Sequence, residues 1–138
     1  MADKLYLSWK WVDEQLHIIG DKLENIEKLE FISGIPRGGL IPAVIMSHAY
    51  KIKYISYSSA KMLPKDIRKN VLVIDDIADT GHTLKEANDL GFVTGTLALR
   101  VGSKSVPQFY GDLIQDDSWL VFPWEKLDSI PMQDYLIK

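Results

Sequence analysis

Apolar and polar positions follow two spacings along this chain, and the spacings predict helices and strands in alternation. Four apolar side chains spaced four, three and four positions apart predict one face of a helix over residues 9–23, which Ser8 can cap. They are Val12, Leu16, Ile19 and Leu23. A continuous apolar run at 71–74 predicts a central strand covered on both faces. The other predicted elements are strands at 29–33, 53–58, 94–99 and 119–122, and helices at 40–50 and from within 79–83 to about 90. Together they indicate an α/β fold, a parallel sheet flanked by helices.

Composition narrows the class of protein. The chain has 138 residues, no cysteine and a formal net charge of −3. A chain of this length builds one core without disulfides or structural zinc, so we expect a single domain over residues 1–138. Basic residues are not in excess, and no apolar run approaches the ~18 residues of a membrane span. We therefore expect a cytoplasmic protein without a nucleic-acid or membrane partner.

The residues best suited to bind a ligand follow directly after the apolar run 71–74. Asp75 and Asp76 follow it, and Asp79 to Thr83 supply an acid, two hydroxyls and a glycine where a helix opens. Ligands of open α/β sheets bind beyond the carboxyl ends of the strands, and a helix start binds phosphate through its unpaired N–H groups. Adjacent carboxylates suit sugar hydroxyls or a hydrated magnesium ion. The stretch predicts a ribose 5-phosphate pocket, although each residue taken singly could merely end a strand or cap a helix.

A second loop, residues 34–39, also lies between a predicted strand and a predicted helix. Arg37 is a fixed cation whose planar fork suits phosphate oxygens, and the glycines beside it can expose backbone amides to the same anion. The alternative is an ordinary turn with a surface arginine. Near the C-terminal end, Trp119 could stack on a planar base or could fill the core.

Residues 71–83, Val-Leu-Val-Ile-Asp-Asp-Ile-Ala-Asp-Thr-Gly-His-Thr, resemble the thirteen-residue phosphoribosyl-pyrophosphate (PRPP) motif of type I phosphoribosyltransferases. Ser8-Trp9, the Arg-Gly-Gly loop and the ending Trp-x-x-Phe-Pro-Trp-Glu extend the likeness. Over most of residues 5–125 the chain is similar to xanthine-guanine and related 6-oxopurine phosphoribosyltransferases.

This resemblance implies transfer of the 5-phosphoribosyl group from PRPP to N9 of guanine, xanthine or hypoxanthine, with Mg²⁺ as cofactor and a homodimer or homotetramer as the assembly. Asp75 and Asp76 would bind the ribose hydroxyls, directly or through the metal. Asp79 would manage the proton at the purine N7 as a catalytic residue. The 5-phosphate would be wrapped by Asp79, Thr80, Gly81, His82 and Thr83.

The same resemblance assigns the remaining substrate contacts. Pyrophosphate would bind to Arg37, Gly38 and Gly39. Arg37 would also be catalytic through its positive charge. The resemblance further implies a cis peptide bond between Pro36 and Arg37. The purine would lie on Trp119 and Leu120, and Arg100 or Lys104 would donate to its 6-oxygen, which disfavours adenine.

A mobile hood closes over PRPP in the family, and Ser56-Tyr57 is the candidate for its Ser-Tyr pair. The stretch 60–70 has only 11 residues, so the hood is short. Its four basic residues either help to hold pyrophosphate or lie in a solvated connector. A PRPP- or nucleotide-binding regulatory protein without transferase activity is therefore the alternative function.

Overall fold

The computed structural model describes residues 3–125. Its strands are β1 (Lys4–Tyr6), β2 (Phe31–Gly34), β3 (Val71–Ala78), β4 (Val93–Arg100), β5 (Phe109–Ile114) and β6 (Trp119–Val121). Its α-helices are α1 (Trp9–Lys22), α2 (Leu40–Tyr50), α3 (Tyr57–Lys61), α4 (Lys65–Arg68) and α5 (His82–Asp89), with a 3₁₀ turn at Ile26–Lys28. The predicted single domain over 1–138 extends past the described residues at both ends and stays a prediction.

The main sheet has four parallel strands in the order β2-β3-β4-β5, and a separate two-stranded parallel sheet joins β1 to β6. Helices α1 and α2 cover one face, where Ile19 and Met46 pack with Leu72 and Leu97. Helices α3 and α5 cover the other, around Phe92. The predicted parallel α/β architecture flanked by helices is confirmed. Within residues 3–125, no helix combines the length and apolar character needed to cross a membrane.

Helix α1 follows its sequence pattern. The Ser8 hydroxyl accepts a hydrogen bond from the Trp11 backbone N–H at 3.0 Å, as an N-cap should. Val12, Leu16 and Ile19 are buried against the sheet. Its apolar face therefore fixes α1 on the strands that carry the site.

The predicted strand at 53–58 is wrong. Only Tyr54 forms a bridge, to Ile32, and the chain then turns into α3. Ser56 causes this turn, because its hydroxyl accepts from the Ser59 backbone N–H at 3.2 Å and caps a helix. The stretch 60–70 is likewise not a plain connector, since it holds the end of α3 and all of α4.

Two boundaries at the site also differ from the sequence pattern. Strand β3 continues beyond residue 74, because Asp75, Ile77 and Ala78 remain in register with β4. Asp75 and Asp76 therefore lie within β3 and not in the loop that follows it. Helix α5 begins at His82, which leaves residues 79–81 as the loop between strand and helix. Strands β1 and β5 were not predicted.

Candidate active site

A cleft of about 140 Å³ opens at the carboxyl ends of β3 and β4, beside β6. It brings together ten of the residues singled out in the sequence: Asp75, Asp76, Asp79, Thr80, Gly81, His82, Thr83, Arg100, Trp119 and Leu120. Parallel strands deliver residues distant in sequence to one edge of the sheet, which is why these side chains meet here. Pro36 also lines the cleft, whereas Arg37, Gly38, Gly39 and Lys104 are not among its lining residues.

The two adjacent carboxylates are held by hydrogen bonds near the end of β3. Asp75 is 8% exposed, and its Oδ1 accepts from the Asp76 backbone N–H at 2.8 Å. The Thr83 hydroxyl donates to Asp75 Oδ2 at 3.4 Å. Asp76 Oδ1 accepts from the Ile77 backbone N–H at 2.7 Å. Both acids line the cleft, Asp75 on the side of α5 and Asp76 beside Gly38.

The loop before α5 turns at a glycine and packs against the β4–β5 loop. Gly81 adopts φ +82°, a left-handed conformation that favours glycine. A Cβ on Gly81 would overlap the backbone nitrogen of Ser105 and lie 2.9 Å from Ser103 Oγ, so the β4–β5 loop packs directly behind it. The Lys104 backbone N–H donates to the Thr80 carbonyl at 3.2 Å and ties the two loops together. The His82 backbone N–H donates to the Thr80 hydroxyl oxygen at 3.3 Å. The rest of the first turn of α5, with its other unpaired N–H groups and the positive end of the helix dipole, lines the cleft.

The Arg-Gly-Gly loop packs against one of these carboxylates, that of Asp76. A Cβ on Gly38 would overlap the Asp76 carboxylate, and one on Gly39 would overlap the Ile74 carbonyl. Only glycine permits this approach, so the loop lies directly on β3. The Pro36-Arg37 peptide bond is cis, which confirms that expectation, and the Arg37 side chain is exposed.

The aromatic ending divides between the core and the cleft. Trp124 stacks on Phe122 with centroids 5.1 Å apart, and Trp9 and Trp11 pack around them. Trp119 lines the cleft, as does one edge of that cluster at Phe122. Sequence reasoning did not single out Glu125, which lines the cleft with its Oε1 accepting from the Phe122 backbone N–H at 2.8 Å. The only available signal was its place in the Trp-x-x-Phe-Pro-Trp-Glu ending.

Arg100 joins two walls of the cleft. Its Nε donates to Asp79 Oδ1 at 2.9 Å, Nη1 to the Asp116 carbonyl at 2.7 Å and Nη2 to the Ser118 carbonyl at 2.9 Å. The side chains of Arg100 and Asp79 are 16% and 35% exposed. Lys104 is the other candidate for the purine 6-oxygen, and its contact with the site is the hydrogen bond from its backbone N–H to the Thr80 carbonyl.

The candidate hood pair packs on α5. The Tyr57 hydroxyl donates to Glu86 Oε1 at 2.8 Å, and Lys61 Nζ lies 3.3 Å from the same oxygen and 4.9 Å from the Tyr57 ring centroid. Burial, together with the hydrogen bond to Glu86, raises the pKa of the Tyr57 phenol well above its ordinary value. The same hydrogen bond lowers the pKa of Glu86. Arg68 is held by the Leu90 and Leu63 carbonyls, so part of the basic set of this segment has a structural role.

The residues present can hold a partly hydrated metal ion but not an all-protein cage. Among residues 3–125, no three His, Asp or Glu side chains cluster in a way that could hold a metal ion. Asp75 and Asp76 nevertheless supply two carboxylates to the lining of the cleft, and magnesium commonly binds one or two carboxylates together with water and substrate oxygens. The donor set therefore fits Mg²⁺ carried in with a phosphorylated substrate.

Two relatives of this chain are purine phosphoribosyltransferases. No protein-family model matches the sequence. The xanthine-guanine phosphoribosyltransferase of Idiomarina loihiensis is 29% identical over 142 residues, which cover 88% of this chain and 87% of that protein. The crystal structure of a purine phosphoribosyltransferase from Pyrococcus horikoshii Ot3 is 31% identical, with a TM-score of 0.74 over 95% of this chain and 99% of its own. The Helicobacter pylori xanthine-guanine-hypoxanthine phosphoribosyltransferase is 16% identical and shares the fold, with a TM-score of 0.73 over 90% and 93% of the two chains.

Proposed function

This chain belongs to the purine phosphoribosyltransferase family, and we propose that it transfers the 5-phosphoribosyl group of PRPP to N9 of a 6-oxopurine in purine salvage. The products would be the nucleoside 5′-monophosphate and pyrophosphate. One observation carries the proposal: a single cleft is lined by the adjacent acids, the loop before α5 and an aromatic side chain. These match the sugar, the phosphate and the base of a nucleotide in turn.

The donor would bind along β3 and α5. Residues 79–83 would hold the 5-phosphate, because the Gly81 backbone and the first turn of α5 offer N–H groups to an anion. Asp75 and Asp76 would face the ribose hydroxyls. Mg²⁺, when bound through these two acids, would neutralise charge on the ribose and pyrophosphate oxygens.

The leaving group would meet the Arg-Gly-Gly loop. The transition state of such a transfer carries positive charge on the sugar and negative charge on departing pyrophosphate. Arg37 and the amides of Gly38 and Gly39 would stabilise that negative charge electrostatically. The packing of Gly38 on Asp76 supports this assignment, because the loop then lies beside one of the acids that we assign to the sugar.

The base would lie against Trp119 and Leu120. With Oδ1 of Asp79 on Arg100, its Oδ2 can accept the purine proton. Arg100 lines the cleft and is the better placed of the two cations to donate a remaining N–H to a 6-oxygen. A carbonyl would accept that bond, and the amino group of adenine would not.

The decisive experiment supplies PRPP, Mg²⁺ and each of guanine, xanthine, hypoxanthine and adenine, and follows nucleotide formation. We expect product from the 6-oxopurines and at most traces from adenine. Saturable PRPP binding without product from any base would instead favour the regulatory alternative.

A pair of double variants locates the donor site. Asp75→Asn with Asp76→Asn should raise the KM for PRPP at least about tenfold, since each hydrogen bond to a charged group contributes roughly 1.5–3 kcal/mol. Asp13→Asn with Asp21→Asn removes the same charge from exposed positions of α1 and is the matched control. Equal kinetics for the two double variants would contradict the assigned pocket.

We also infer a homodimer or homotetramer from the family resemblance. Exposed apolar side chains at Leu5, Tyr6 and Trp9 are compatible with a contact between copies. Sedimentation equilibrium of the full chain tests this, and a monomer at micromolar concentration would contradict it.

A further inference from the structure

Arg100 ends β4 and lines the cleft, and its guanidinium connects two segments that are far apart in sequence. Asp79 belongs to the loop between β3 and α5, while Asp116 and Ser118 belong to the turn that precedes β6. Each of three Arg100 nitrogens donates to a different one of these residues, at 2.7 to 2.9 Å. Such distances are typical of hydrogen bonds strengthened by charge.

The turn before β6 is built to present its carbonyls. Asp116 Oδ1 accepts from the Ser118 backbone N–H at 3.0 Å and from the Ser118 hydroxyl at 2.6 Å. These bonds close the turn, so the carbonyls of residues 116 and 118 can both meet one guanidinium. Trp119 and Leu120 follow at once on β6, and both line the cleft.

We propose that Arg100 is a positioning residue, which fixes the Asp79 carboxylate relative to the purine wall at Trp119. The proposal rests on the proposed function, and it gives Arg100 a task beyond any hydrogen bond to the 6-oxygen. A guanidinium has the planar fork needed to satisfy a carboxylate and two carbonyls at once, whereas a lysine ammonium is a single flexible point. Arg100 acts on the reaction through Asp79, whose distance from the base it sets.

The kinetic test compares two identical substitutions. Arg100→Lys keeps the charge but loses the fork, and a shift of about 1 Å in a reacting group costs roughly 100-fold in rate. We expect kcat to fall about 100-fold while the KM for PRPP changes less than threefold. Arg68→Lys is the control, because Arg68 also donates through Nε and Nη1 to carbonyls, at Leu90 and Leu63, away from the cleft.

A double-mutant cycle distinguishes positioning from an independent contact. If Arg100 acts through Asp79, Arg100→Lys should lower kcat far less in an Asp79→Asn background than in the wild type. Additive losses would overturn the proposal. Guanidinium chloride at millimolar concentration should also restore part of the kcat of Arg100→Ala, which a loss of folding alone would not allow.

Hydrogen exchange supplies an arm that does not depend on turnover. In the unliganded protein, Arg100→Lys should raise amide exchange at least fivefold in both 79–82 and 116–119, with α1 unchanged. Unchanged exchange in either segment would refute the positioning role. A wild-type protein that forms no nucleotide would refute the proposed function, and exchange would still decide the role of Arg100.

Discussion

Replacing Gly81 with alanine tests two requirements of the proposed phosphate loop: a left-handed backbone conformation and space for close packing against the β4–β5 loop. Gly81 has φ +82°, and an L-residue in that conformation costs about 1–2 kcal/mol. Its new Cβ would also lie 3.0 Å from Ser105 Cα, 2.9 Å from Ser103 Oγ and still closer to the Ser105 nitrogen. Ordinary carbon contacts begin near 3.5 Å, so the two loops must part by about 1 Å.

Gly102→Ala is the matched control on the same β4–β5 loop. Gly102 has φ +91°, and a Cβ there would meet nothing within 4 Å. Both variants should therefore lose about 1–2 kcal/mol of unfolding free energy from the backbone alone. Only Gly81→Ala should displace the N–H groups that we assign to the 5-phosphate.

The assay is steady-state kinetics with PRPP varied at saturating base, together with urea unfolding of each variant. We expect Gly81→Ala to lose about 100-fold in kcat/KM for PRPP, the usual cost of a displacement of about 1 Å at a reacting site. Gly102→Ala should stay within about threefold of the wild type. If both variants kept wild-type kcat/KM, the loop at Gly81 would not be the phosphate site.

Two further predictions concern stability. Leu72 is fully buried in the core, and Leu72→Ala should lower the urea-derived unfolding free energy by about 2–5 kcal/mol, whereas a loss below 1 kcal/mol would contradict that placement. The lowered pKa of Glu86 means that its carboxylate stabilises the fold above about pH 4.5 and that this contribution disappears as pH falls through the folded pKa. Glu86→Gln should therefore be less stable than the wild type at pH 7, by under about 1 kcal/mol because Glu86 is 54% exposed, and the two should converge near pH 3. A constant difference from pH 7 to pH 3 would exclude this linkage.

The sequence was most informative where a local pattern coincides with a buried element. The run 71–74 predicted a central strand, and the cap at Ser8 with its apolar face predicted α1. In both places the residues that define the element also pack in the core, so local and tertiary preferences agree. The parallel α/β architecture followed from the order of these elements.

Local propensity failed where one side chain or one neighbouring strand decided the outcome. β-branched and aromatic residues favoured a strand at 53–58, but the Ser56 hydroxyl starts a helix there. Asp75 belongs to β3 because Thr96 of β4 pairs with it, a partner 21 positions away that periodicity cannot reveal. Strand β1 has three exposed residues and offers no pattern to read.

The site residues were predictable as a set but not as a network. A phosphate loop, two acids and an aromatic wall could be expected from motif chemistry. The triple hydrogen bonding of Arg100 could not, because two of its acceptors are backbone carbonyls that carry no side-chain signature. The place of Glu125 in the cleft could not be predicted for a similar reason, since its orientation depends on the Phe122 backbone.

The small sheet of β1 and β6 is separate from the four-stranded sheet, and this division has an evolutionary consequence. The walls that we assign to the sugar and phosphate are built on the large sheet, whereas Trp119 and Leu120 are carried by the small one. Substitutions in the small sheet could change how the base is stacked while leaving the donor's handling, and the contact of Arg100 with the 6-oxygen, intact. Related proteins could thus come to accept different bases while the residues that handle the donor stay the same.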